Sequence, residues 1–389
     1  MSCDWKKSLL PVRRKTRSPL ATTILALSLA TACTHDSEWH WNLPKGFPEP
    51  RVPQDNPMSS AKAELGRRLF YDKILSENRT QACASCHQQQ RAFTDGREHA
   101  LGSTGQPHSR NSMSLTNVAY ASRLTWASSL LDRLEDQALL PMFGDAPIEL
   151  GLPDEATIVT RLQQDPRYTK LFAQAFPHDR QPISVKNLTR AIAAFERTLI
   201  SGDSPYDRYT RGATGALSDS AKRGMTLFFS ERLECFHCHG GFNFADSVDH
   251  AKLPEPERAF HNTGLYNVDG KGAYPASDRG LYKLTAKPAD MGRFKAPTLR
   301  NVAVTAPYMH DGSIATLDEV IDHYAAGGRS IHSGPNAGDG SNSPLKDKFL
   351  VGFILSQSER ADLIAFLESL TDETFLHDPR FADPTEVGS

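Results

Sequence analysis

The feature that most restricts this 389-residue chain is a pentapeptide that occurs twice, as Cys83-Ala84-Ser85-Cys86-His87 and Cys235-Phe236-His237-Cys238-His239. A C-x-x-C-H run suits covalent haem, because two thiols at that spacing add to the porphyrin vinyl groups and the adjoining histidine reaches the iron. A lone C-x-x-C also serves zinc sites and redox pairs. Here both copies carry the histidine, and beyond Cys33 no further cysteine remains to complete a zinc site or a disulfide. Two covalent c-type haems are expected, with His87 and His239 on the irons.

With 39% hydrophobic residues, the chain can bury a core around each haem. A formal net charge of -2 gives nucleic acid nothing to attract it. Cys3 and Cys33 belong to an N-terminal segment in which Lys6, Lys7, Arg13, Arg14, Lys15 and Arg17 precede the apolar run Leu20 to Ala32. Residues 1–33 therefore read as an export signal, too short to span a bilayer as a stable helix. The run Ala30-Thr31-Ala32-Cys33 fits either lipid attachment at Cys33 or ordinary cleavage. Both place the protein in the periplasm, the first with an anchor in the membrane.

Residues 34–58 are Pro-rich, include Trp39, His40 and Trp41, and read as an extended lead-in, either a loosely packed tail or a docking surface. A helix is expected from Ser59 or Ser60, with Ala61, Leu65, Leu69 and Phe70 on one face. The pattern returns at Ser220-Ala221-Lys222, where Gly224, Leu227 and Phe228 repeat the spacing of Gly66, Leu69 and Phe70. Both stretches stand just ahead of a haem motif, so the chain contains an internal repeat. After each motif a second helix of matching character is expected, over Leu188 to Leu199 and Ser358 to Leu370. The fold class is accordingly all-α, with two tandem cytochrome c-like domains at 59–205 and 206–375 and a boundary near Gly202 to Gly215. Phe242 to Gly292 reads as ordered loop over the second haem, and Asn336 to Pro344 as a mobile surface loop.

What stands opposite each histidine decides the chemistry. A c-type haem with two strong ligands only passes electrons, whereas one with an open face can bind peroxide. After Ser313, the residues Leu317, Val320, Ile321 and Tyr324 recur at helical spacing, which places Tyr324 on a buried stripe as core or as ligand. His323 should point about a quarter-turn away, beside Thr316 and Glu319.

The run Phe294-Lys295-Ala296-Pro297-Thr298-Leu299-Arg300-Asn301-Val302, then Thr305 to Gly312, strongly resembles the bacterial di-haem cytochrome c peroxidase and MauG family. So do Arg110-Asn111-Ser112 through Asn117-Val118, and Glu135-Asp136-Gln137-Ala138 through Pro147-Ile148-Glu149. The resemblance runs from about Ser59 to Leu370.

It implies several roles. At the position of Tyr324 the peroxidases carry methionine, whereas MauG-like enzymes carry tyrosine. A hard, anionic phenolate favours ferric and higher states, so the haem of His239 should be hard to reduce. The haem of His87 should meet hydrogen peroxide, with Glu149 as the distal acid/base and Gln137 and Pro141 beside it. The spacing from Pro141 to Glu149 is slightly longer than in the MauG pattern. His99 and His108 do not stand where some peroxidases place a loop ligand, so the first iron is expected to be open. Trp126 matches the inter-haem tryptophan, and Asn111, Thr305 and the Pro307 carbonyl match calcium ligands. The segment His261 to Asn267, with Tyr274-Pro275, looks most like MauG-like enzymes paired with a copper-binding partner protein, one of which converts a partner tryptophan to kynurenine. The alternative is a peroxidase fed by a small electron-donor redox protein.

Overall fold

The computed structural model describes residues 39–385, so the export signal and Cys33 lie outside the described residues. The chain is mostly helical. Among the described residues the paired strands are the two-residue β1 (Ser330–Ile331) and β2 (Gly338–Asp339).

Four helices carry the repeat. In the first half these are α1 (Ser60–Tyr71) and α2 (Val185–Glu196); in the second, α3 (Asp219–Phe228) and α5 (Gln357–Glu368), with α4 (Leu317–Ala325) between. Each begins on a hydroxyl that accepts a backbone N–H: Ser59 from Lys62, Ser184 from Asn187, Ser218 from Ala221, and Ser356 from Glu359. Helix α2 starts and ends about one turn before the expected Leu188 to Leu199. Ser184 supplies the earlier cap, and the Leu199 carbonyl is needed outside the helix, where it accepts from the Asn117 N–H at 2.9 Å.

Glycine sets how closely the paired helices approach. A β-carbon on Gly66 would lie 1.9 Å from the Ala191 carbonyl oxygen, and one on Gly224 would lie 1.8 Å from that of Asp362. Thus α1 crosses α2, and α3 crosses α5, with backbone against backbone. Gly66→Ala is expected to cost about 3 kcal/mol of stability, because neither helix can yield at that point. Gly215→Ala, where nothing lies within 4 Å, is the control. Urea unfolding of the two variants checks the difference.

A second device also repeats. Asn117 and Asn301 both adopt left-handed backbone, at φ 56 and 63, which asparagine tolerates better than most residues. The Asn117 side chain brackets Ser201, donating to its carbonyl and accepting from its N–H. Asn301 accepts from the Asp372 N–H at 2.7 Å and donates its own N–H to Leu370. Each asparagine thereby ties the loop after its haem motif to the end of its half's last helix.

The first core gathers Leu65, Leu69, Ile158, Phe172 and Leu188; the second gathers Phe228, Phe244, Ile321 and Phe366. The chain's end crosses back, placing Phe375 and Phe381 against Phe70 and Phe93 of the first half. The stretch Gly202 to Gly215 holds the helical turn Pro205–Thr210, whose Asp207 makes a fully buried two-bond ion pair with Arg300.

Two expectations for irregular segments are corrected. From Trp39 onward the lead-in is a packed strap: Phe47 meets the rings of Tyr120 and Phe242, the Pro48 carbonyl accepts from the Tyr120 hydroxyl, and buried Asn56 donates to Glu135. Its partners are far away in the chain, which local composition does not reveal. Asn336 to Pro344 is likewise held in place, since β2 pairs with β1 and the Gly340 N–H donates to Arg329 at 2.8 Å. Strands of two residues carry no readable periodicity.

Candidate haem sites and the distal carboxylate

The second motif opens on an apolar cavity. Cys235, Cys238 and His239 form one side, and Tyr324 from α4 faces the same space together with Leu317 and Ile321. The stripe read from the sequence therefore points inward. The His239 Nδ1 lies 3.3 Å from the Phe244 carbonyl, which fixes the proton on that nitrogen and leaves Nε2 as the metal-binding atom. The first motif repeats the arrangement, with His87 Nδ1 2.8 Å from the Phe93 carbonyl. Both carbonyls come from residues with positive φ, 62 at Phe93 and 49 at Phe244. None of the four motif cysteines is in a disulfide. Burial pushes the thiols of Cys86 and Cys235 up to about 12, unlike the acidic thiols of a redox pair. Two thiols, a histidine with Nε2 exposed to an apolar cavity, and a phenol opposite are the donor set a c-type haem needs, so the residues fit the group.

Burial also drives the Tyr324 phenol well above its ordinary range. In a cavity this apolar, the phenolate forms only if a cation sits against it, the service a ferric iron would perform. His323 is turned away from the cavity, as the helical period expects. Its ring is buried and meets that of Tyr324 edge-on, and burial lowers its pKa to about 4. It stands one turn from Glu319, and Thr263 and Arg329 also approach the ring.

Glu149 reaches the first motif. Its charge acts on both Cys83 and Cys86, and burial alone raises its carboxyl to about 7. The long spacing from Pro141 is absorbed by a tight turn bridging Asp145 and Ile148, after which the Leu150 N–H donates to the Pro141 carbonyl at 2.8 Å. Pro141 and Glu149 are thus brought side by side. Gln137 ends the neighbouring helical turn Leu134–Gln137, and among the described residues its side chain makes no hydrogen bond to Glu149. His108 Nδ1 lies 3.9 Å from the Glu149 Oε1, whereas His99 faces Glu98.

Trp126 lines the second cavity, and its indole N–H donates to the Asn111 carbonyl at 2.8 Å. Two residues on, the Met113 carbonyl faces the His87 ring. Asn111, Thr305 and Pro307 share one cavity wall. The Asn111 amide nitrogen donates to the Arg97 carbonyl at 2.7 Å, leaving its oxygen free to accept. Both halves thus bring residues with oxygen donors, the kind a hard cation takes, to one cavity.

Two cationic groups, one half-buried and one buried, were not legible in the sequence. His261 is clamped between Asp347 at 2.7 Å and Asp246 at 2.5 Å; burial opposes its charge, but Asp246, the Cys238 sulfur and Asp347 together outweigh it and raise its pKa. Lys295 is buried in the same wall and lowered to about 8. The run around Lys295 marked a family motif without saying that the side chain turns inward.

Comparison with known proteins places the chain. Residues 60–215 match the family profile described as di-haem cytochrome c peroxidase. The chain is 37% identical over 391 residues to the cytochrome-c peroxidase IdrP1 of Pseudomonas sp. (strain SCT), covering 96% of this chain and 97% of that one. It is 35% identical over 353 residues to the methylamine utilization protein MauG of Methylophilus methylotrophus, covering 89% and 94%. Among solved structures, a MauG-like protein associated with microbial copper homeostasis superposes with a TM-score of 0.87 at 54% identity, covering 89% of this chain and 99% of that one. The chain therefore belongs to the di-haem cytochrome c peroxidase and MauG family, and is a peroxide-dependent oxidoreductase.

Proposed function

We propose that this protein is a periplasmic MauG-like enzyme with two covalent c-type haems, one in each of two tandem cytochrome c-like units, which uses hydrogen peroxide to oxidise a side chain of a copper-binding partner protein. The observation that carries the reading is Tyr324, facing the cavity of His239 where a conventional peroxidase would present a thioether. The solved neighbour described as MauG-like and associated with copper homeostasis supports the choice of partner. Tryptophan is the proposed target and kynurenine the product. Two peroxides convert the indole to N-formylkynurenine with loss of two waters, and hydrolysis then releases formate.

The bound haems would supply the iron that accepts peroxide and stores its oxidising equivalents. Glu149 removes the proton from one peroxide oxygen and returns it to the other, so that water can leave. A carboxyl near 7 holds both forms at neutral pH, as that exchange requires. Trp126, bonded to the Asn111 carbonyl and lining the second cavity, carries oxidising equivalents between the two sites. Tyr324 would hold the second haem's iron through its phenolate oxygen, and Asn111, Thr305 and Pro307 would hold a calcium ion.

The relatives named cytochrome-c peroxidase favour a second reading, in which a small redox protein donates electrons to the same peroxide chemistry. Mass spectrometry of a candidate copper-binding partner, incubated with the diferric protein and peroxide, separates the two. A product with tryptophan converted to kynurenine supports the first; an unchanged partner alongside rapid donor oxidation supports the second.

A further inference from the structure

Beside Glu149 lies a hairpin that the reaction as described does not use. Residues 100–108 turn back on themselves, with a bridge between Leu101 and Pro107 and the His108 N–H donating to the Ala100 carbonyl at 2.8 Å. This hairpin is pinned to the segment that carries Glu149. The Ser103 N–H donates to the Glu149 carbonyl at 2.7 Å, and the Ser103 hydroxyl donates to the Leu150 carbonyl at 3.2 Å. Gly102 allows the approach, since a β-carbon there would stand 1.8 Å from the Ile148 carbonyl oxygen. His108 is thereby fixed relative to Glu149, with Nδ1 3.9 Å from Oε1. Its ring also lines an open groove of about 460 Å³ shared with Arg110, Pro147 and Lys283. The imidazole is the more buried of the two side chains, and the carboxyl keeps part of its surface in solvent.

Resting on the reading of Glu149 as the acid/base, we propose that His108 is its positioning residue: the imidazole, with its proton on Nδ1, steers Oε1 and favours the carboxylate that takes the peroxide proton. The gap is beyond direct hydrogen bonding, but one water or a small rotation joins the two. Burial keeps His108 neutral at the working pH, Asp95 opposing that effect and His99 adding to it, so it serves as a donor dipole rather than a fixed cation. Glu149 itself is shifted by burial alone, so a single neighbouring donor has leverage on it. Arg110 and Lys283 are the other charged groups on the groove.

The test is the rate of the holoprotein with hydrogen peroxide by stopped flow across neutral pH. His108→Phe should move the midpoint upward by about half a unit, making the reaction about threefold slower near pH 6.5 and leaving it unchanged near pH 8.5. His108→Gln, which keeps an N–H donor, should restore the parent midpoint. His108→Leu carries the same expectation as the Phe variant should that one fail to fold. An unchanged midpoint, or an equal loss at both pH values, overturns the proposal. So does a gain of high-spin haem in the variants, which would make His108 an iron ligand. Glu149→Gln, run in parallel, separates the failures: if it too reacts at the parent rate, the acid/base reading itself has failed.

Discussion

Glu149→Gln slows the reaction of the diferric protein with hydrogen peroxide by about 10²–10⁴-fold, the usual worth of a positioned proton-transfer group, and leaves the resting spectrum unchanged. The amide keeps the size and polarity of the carboxyl but cannot take a proton. The pH dependence follows from the same environment. Burial disfavours the charged form and raises the carboxyl to about 7, and the base is the deprotonated form. The parent rate should therefore fall as pH drops through about 7, and the glutamine variant should show no such limb. Stopped-flow traces of both proteins across that range check the two statements together.

Tyr324→Met changes which chemistry the protein performs. The phenol is packed among Leu317, Ile321 and the second haem motif, and burial holds it neutral until a cation arrives. A phenolate on the second iron stabilises the oxidised states, whereas a thioether stabilises the ferrous state. The variant should be reduced far more readily, lose the long-lived oxidised state, and oxidise the partner more than about tenfold more slowly, the factor that each 1.4 kcal/mol brings. In exchange it should gain turnover with an electron-donor protein. Redox titration and partner oxidation by the two proteins check the exchange. Retention of full partner oxidation by the methionine variant would remove Tyr324 from the mechanism.

Much of this was legible in the chain because the responsible patterns are local. The motif spacing announces its own chemistry, and the recurrence of Gly66, Leu69 and Phe70 as Gly224, Leu227 and Phe228 announces the repeated helix crossing seen at Ala191 and Asp362. The helical stripe through Leu317, Ile321 and Tyr324 was readable for the same reason, and Tyr324 faces the cavity as that stripe requires. What escaped depends on chain segments that meet only in the folded state. Phe47 packs on Tyr120 and Phe242, which lie more than one element away, so the strap looked like a tail. His261 gains its charge from Asp246 and Asp347 on separate loops. His108 acquires a purpose only when Gly102 lets its hairpin close on Glu149. His323, one residue from Tyr324, is buried by a loop whose course the helical period does not encode.

The proposed mechanism requires one iron held by Tyr324 and another left accessible to peroxide beside Glu149. Electron paramagnetic resonance of the resting diferric holoprotein tests this most directly. It should give one high-spin ferric signal from the haem of His87 and one low-spin signal with the g-value spread of histidine and phenolate ligation, the latter lost in Tyr324→Phe. Two low-spin signals, or a low-spin signal that survives the loss of the phenol oxygen, would contradict it.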